Sequence, residues 1–162
     1  SSGVFEDKYA ESIMATRLGR LTGAERVRVE SLLRTLDDPD IKGKNLVLAE
    51  LGNCLSGVDS YDPLLSDIEV VNCQYDIYES VWREAKHLRT SGELLAFGSR
   101  IQCPVVAIHG DYDPHPAVGV QAPLTRILKD FRFILLGNCG HRPWAEKTAR
   151  DRFYKVLKEE LR

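Results

Sequence analysis

CPVVAIHGDYDP at positions 103–114, and FRFILLGNCGHRPWAE at positions 131–146, decide how this chain is read. Cys103 to Ile108 is a short, nearly continuous apolar run rich in β-branched residues. It is bounded by Pro104 and by Gly110-Asp111, as a buried parallel strand should be. Phe131 to Leu136 reads as a second strand. Between them, Ala117 to Lys129 has the spacing of a crossover helix, with Val120, Leu124, Ile127 and Leu128 facing the sheet. Pro143 to Leu161 reads as a final helix with Ala149, Phe153, Val156 and Leu157 turned inward. Strand, helix, strand, helix is a βαβα unit, whose strands must pair in parallel through a right-handed crossover.

Upstream of this unit the pattern is helical. Glu6 to Leu36 carries roughly helical apolar spacing through Ile13, Leu18, Leu21, Val27, Val29, Leu32 and Leu33. A break is expected at Thr22-Gly23, where Thr22 and Glu25 offer a capping box to a second helix. Asp37 to Asp40, with Pro39, ends it. Lys44 to Gly52 reads as a further short helix and Gly57 to Pro63 as a loop. Asp76 to Gly92 reads as another helix with Ile77, Val81, Ala85 and Leu88 on one face. Trp82 is read as helix-face core packing. Tyr75, Tyr78 and Trp144 offer pocket-lining aromatics as the alternative to core. Arg17, Arg20, Arg26 and Arg28 read as a solvated helix face. No convincing strand lies in this half. Two strands are too few for a stable parallel sheet alone, so the chain is expected to be a piece of a larger protein, or to borrow strands from another chain.

The 162 residues are 43% hydrophobic and 28% charged, with a formal net charge of −2. These are ordinary globular values, and the mixed signs give no electrostatic case for nucleic acid or an anionic membrane. No run of about 18 apolar residues marks a membrane span. The start SSGVFEDKYAES has neither the basic flank nor the apolar run of a secretory signal. Cys54, Cys73, Cys103 and Cys139 form no CxxC pair, which argues against a zinc site or a thioredoxin-like motif. Cys103 and Cys139 read as buried thiols, and a reducing, cytoplasmic compartment is expected.

The chemistry concentrates after the two strands. Gly110 to Pro114 follows the first, and Asn138 to His141 follows the second. Open α/β sheets place their ligand-binding groups at these carboxyl ends. Asp113 and His141 should therefore emerge side by side. A buried carboxylate that accepts an imidazole Nδ1–H fixes the tautomer and leaves Nε2 free to take a proton from a hydroxyl or thiol. Asp111 is the second choice for the acid, and both aspartates are natural turn formers. His109, Asp111, Asp113 and His115 alternate, which raises a metal site. Gly110 and Pro114 break the extended geometry such a site would need, and no metal and no cofactor are expected. Cys139 next to His141 is a poor nucleophile candidate, because neighbours in sequence rarely meet in hydrogen-bond geometry.

On these residues the chain resembles the α/β-hydrolase fold family. Gly110-x-x-Asp113 after an apolar strand, Gly140-His141 after the next, and the continuation through Pro143, Trp144 and Glu146 match that family's late motifs. SSGVF resembles its segment after the sixth strand. The resemblance implies a mostly helical cap (lid)-like region over residues 1–95. It implies that residues 96–162 are the C-terminal βαβα part of the core. It makes Asp113 the triad acid and His141 the general base and acid, acting on a small ester, amide or related substrate. The family's serine sits in G-x-S-x-G, and its oxyanion hole in an HGG-type segment. Neither occurs here, and Ser2, Ser56 and Ser99 lack the context. The chain alone is therefore expected to be inactive. The alternative is a non-enzymatic module that self-associates through its exposed sheet edge, with Asp113 and His141 as relics. A small-molecule substrate, no nucleic acid and no membrane complete the expected partners.

Overall fold

The structure is a computed structural model, and it describes residues 3–64 and 72–161. Ser2 therefore lies outside the described residues. The fold is mixed α/β: a mostly helical stretch precedes a β-α-β arrangement with two parallel strands. The helices are α1 (Glu11–Arg20), α2 (Gly23–Asp37), α3 (Lys44–Val58), α4 (Tyr75–Ser91) and α5 (Glu93–Gly98). Then come β1 (Val105–Gly110), α6 (Val118–Ile127), β2 (Phe131–Leu136) and α7 (Arg150–Glu160).

The break between α1 and α2 falls where the sequence places it. Thr22 accepts from the Glu25 N–H, and Glu25 reaches back to the Thr22 N–H at 2.9 Å, a reciprocal capping box. α2 and α3 then pack a small core of Val29, Leu36, Leu48 and Leu51. Helix α3 runs to Val58, past the expected end at Gly52, so the expected 57–63 loop begins only after Val58. Gly52 and Gly57 are both solvent-facing in this helix; their cost of about 1 kcal/mol each against alanine is outweighed by the burial of Leu48 and Leu51.

The face expected to bury α4 is largely open. Ile77, Tyr78, Val81 and Trp82 are exposed, Trp82 at 48%, so Trp82 is not a core residue; Ala85 and Leu88 are half-buried. No described element covers that stripe. The short helix α5 has no counterpart in the sequence reading, and the expected division at 95/96 falls within it.

β1 and β2 pair in parallel over their full lengths, from Val105 opposite Phe131 to Gly110 opposite Leu136. Alternation sends Val105, Ala107, Phe131 and Phe133 to one face, against Val120, Leu124 and Leu128. It sends Ile108, Ile134 and Leu136 to the other, against Cys139, Ala149 and Phe153. Helices α6 and α7 thus cover opposite faces, which is why both strands read as continuous apolar runs. Neither strand has a second strand beside it among the described residues. The last helix is shorter than expected. Pro143–Ala145 forms a single 3-10 turn, and regular helix starts only at Arg150. The intervening Glu146 side chain is occupied elsewhere, as described below. Cys139 is buried as expected, whereas Cys103 is exposed.

Candidate functional site

Parallel pairing puts the ends of β1 and β2 on one side, and the loops that leave them interlock. Asp111 N–H donates to the Leu136 carbonyl at 3.0 Å, and Tyr112 N–H donates to the Cys139 carbonyl at 2.9 Å. The approach is close enough to demand glycine. A Cβ on Gly110 would stand 2.1 Å from the Cys139 oxygen, and one on Gly140 would stand 2.2 Å from the Asp59 oxygen. Asn138 turns the chain out of β2 with φ of 54°, a conformation Asn tolerates better than most residues.

Asp113 and His141 meet in this junction. His141 donates its Nδ1–H to Asp113 Oδ2 at 2.9 Å. The Asp113 side chain is 0% exposed and that of His141 is 32% exposed. No described residue hydrogen-bonds His141 Nε2. The second-choice acid, Asp111, is exposed and does other work: its Oδ1 accepts the Cys139 N–H at 3.2 Å and braces the turn.

Two further histidines gather on the same carboxylate. His115 donates both its backbone N–H (2.9 Å) and its Nδ1–H (2.8 Å) to Asp113 Oδ1. The backbone bond is the Asx turn expected of an Asp two residues upstream. The His115 and His141 rings stack with centroids 4.7 Å apart. His109, near the end of β1, donates Nε2–H to the His115 carbonyl at 2.9 Å and stands 3.6 Å from Asp113 Oδ2. Because an ionised carboxylate only accepts, the Nδ1 atoms of His115 and His141 must carry protons, which leaves both their Nε2 lone pairs free. Burial alone would raise the Asp113 pKa. The hydrogen bonds from His115 and then His141 outweigh it and hold the group well below the usual carboxylate range. Burial pushes the His109 imidazole down, with its bond to the His115 carbonyl a partial offset. The Cys139 thiol is pushed up to about 12 by burial, with Glu146 and Asp111 adding to it, so it is an inert core thiol and not a nucleophile.

The helical region is bonded directly to the histidine turn. The His141 N–H donates to the Asp59 carbonyl at 2.7 Å. Glu146, 1% exposed, accepts three backbone N–H groups: Tyr61 at 2.8 Å, Asp62 at 2.7 Å and Gly140 at 2.9 Å. Arg17 grips the Asp59 carboxylate with Nε at 2.8 Å and Nη2 at 2.6 Å. Arg20 donates to the Val58 carbonyl at 2.8 Å and lies over the Tyr112 ring, 3.6 Å from its centroid. These two arginines therefore belong to the framework of the site, against the expectation of a solvated face. Arg26 and Arg28 do pair with Glu30 and Glu50 at the surface, as expected.

Sequence reasoning misses two residues of this site. His115 enters it only with its alternating neighbours, although Asp-Pro-His is itself a turn signature. Glu146 enters it only as part of a motif, and its role depends on partners 84 and 85 residues away. A search of protein-family models finds none that matches this chain, and a search of curated proteins finds no match either.

Proposed function

We propose that the chain carries the acid–base half of an α/β-hydrolase-type triad. Asp113 orients His141, and His141 Nε2 takes a proton from a serine hydroxyl and returns it to the leaving group. The serine and oxyanion donors belong to polypeptide outside this sequence, and the substrate is a small ester, amide or related compound. Residues 1–95 act as the cap and 96–162 as the end of the catalytic core. One observation carries this reading: the 2.9 Å Asp113–His141 hydrogen bond at the carboxyl ends of adjacent parallel strands, with Nε2 left open. The Gly140-His141-x-Pro143-Trp144-x-Glu146 run supports it, because here the glutamate has a physical task.

Reading the transcript upstream of the Ser1 codon tests the proposal. A G-x-S-x-G within roughly 150 residues supports it. The purified 162-residue chain is expected to show no turnover of an activated ester. Turnover abolished by His141→Ala would show a nucleophile within the chain and overturn this division of labour.

A second reading has its own observation. Neither strand edge is doubly paired among the described residues, and Leu135 of β2 is 45% exposed. An unpaired edge recruits another strand. On this reading the chain self-associates, most simply as a two-fold dimer burying above about 1,000 Å². Sedimentation at micromolar concentration decides it. A concentration-independent monomer with cooperative unfolding removes this reading.

A further inference from the structure

We propose that Asp113, His115 and His141 form a binding site for one divalent transition-metal ion of the zinc type. One nitrogen of each imidazole and a carboxylate oxygen all lie within 4.8 Å of one another. Ligands of a tetrahedral zinc, at about 2.0–2.2 Å from the ion, stand roughly 3.4 Å apart. The present N–O separations, 2.8 Å from His115 Nδ1 to Asp113 Oδ1 and 2.9 Å from His141 Nδ1 to Asp113 Oδ2, are slightly below that spacing. The carboxylate must turn one oxygen toward both rings, or bind through both oxygens, to admit an ion. This trio differs from the alternating set His109, Asp111, Asp113, His115. Asp111 stays outside it, bracing the Cys139 turn, and His141 joins from the neighbouring strand end.

Charge argues for the same ligand. Asp113 has a fully buried side chain, and its ion-pair partners among the described residues are His109, His115 and His141, with no Lys or Arg. With neutral imidazoles the cluster holds one buried negative charge, which a divalent cation would complement in place of the two Nδ1–H hydrogen bonds. Two imidazoles and one carboxylate select zinc, copper or nickel over magnesium or calcium. The half-open His141 side leaves a fourth position for water. His109 holds the ligand-bearing turn from behind through the His115 carbonyl.

The proton accounting is simple. Each ring moves its proton from Nδ1 to Nε2 and binds the ion through the Nδ1 lone pair. No net proton leaves, and the cluster gains the two positive charges of the ion. His141 Nε2 then carries a proton and cannot act as a base. Occupancy by zinc would thus silence the acid–base pair reversibly. That consequence rests on the hydrolase reading, whereas the binding does not.

Calorimetric titration of the purified chain with zinc chloride, and absorption titration with cobalt chloride, test the site. One ion per chain is expected. His115→Gln and His141→Gln should each weaken binding at least about tenfold, while Cys103→Ser, which removes the exposed thiol, should leave it unchanged. Far-UV circular dichroism checks that the variants fold. The cobalt spectrum of the unsubstituted chain should show ligand-field bands without thiolate charge transfer, a result that needs no variant. Absence of stoichiometric binding, a thiolate band, or binding that survives both histidine changes would overturn the proposal. Hydrolysis measured after chelation, with the chain joined to the segment that supplies the nucleophile, reports on the triad alone, so the two readings fail separately.

Discussion

Asp113→Asn is expected, on the proposed hydrolase reading, to lower hydrolysis roughly 10⁴-fold in a polypeptide that joins the chain to a nucleophile-bearing segment. The carboxylate does two jobs that an amide cannot. Its Oδ2 accepts the His141 Nδ1–H, which sets the tautomer with a free Nε2, and on the proposed reading its charge would stabilise the imidazolium formed during proton transfer. An asparagine can turn its NH₂ toward His141, which then favours the wrong tautomer. On Oδ1 the two bonds from His115 raise the same conflict, so an amide in this place cannot satisfy both rings as the Asp113 carboxylate does. The KM should change little, because the Asp113 side chain is fully buried. Asp111→Asn is the matched control. Its carbonyl oxygen can still accept the Cys139 N–H, and activity should fall by less than about tenfold. A large loss in Asp111→Asn with a small one in Asp113→Asn would remove the assignment of the acid.

The lowered pKa of Asp113 has a consequence for pH. Its folded value lies below the unfolded one, near about 3.9, so between the two values the unfolded chain binds more protons. Stability therefore rises with pH across that window. The contribution is fully present above the unfolded value and is lost only as pH falls through the folded one. Asp113 is therefore ionised throughout the range above its unfolded value and contributes no acid limb to an activity profile there.

Local chemistry explains which parts of this arrangement are legible in the sequence. The two strands and α6 announce themselves because both faces of β1 and β2 are covered, and continuous β-branched runs follow from that burial. The Asp113–His141 meeting follows from parallel pairing alone, since both residues sit just past strand ends that must lie together. Tertiary partners decide the rest. Arg17 and Arg20 have the composition of a solvated face until Asp59, Val58 and Tyr112 arrive beside them. The exposed stripe on α4 has the periodicity of a core helix, and periodicity cannot say whether anything covers it. Helix α3 overruns its expected end because glycine weakens a helix by an amount that core packing readily offsets. The start of α7 slips because Glu146, a good helix former, is pulled out of helical geometry by three backbone donors.

Those three donors make Glu146→Ala the substitution with the largest expected effect on stability. Its carboxylate is almost wholly buried, and no other described acceptor replaces it on the Tyr61, Asp62 and Gly140 N–H groups. The Gly140 bond is buried and the other two are part-buried, so each unsatisfied donor costs up to about 1–3 kcal/mol, and relaxation or water recovers part of it. A net loss of about 3–5 kcal/mol follows, in the range seen when one partner of a buried charged network is removed. For a chain of this size the melting temperature should drop by roughly 10 °C or more. Glu146→Gln should fall between the two, because one oxygen is kept and the other becomes an amide that faces a donor. Lys147→Ala is the neighbouring control. Its pairing with Asp62 at 2.9 Å is exposed on both sides and should cost under about 1 kcal/mol. The clamp also reaches the site. Gly140 and Tyr61 bind the same Glu146 oxygen, and His141 hangs from Asp59 two residues before Tyr61. The downfield proton resonance of the His141–Asp113 hydrogen bond should therefore broaden or vanish in Glu146→Ala and persist in Lys147→Ala. Equal stability of the two variants, with that resonance intact in both, would mean that the helical region does not hold the histidine turn in place.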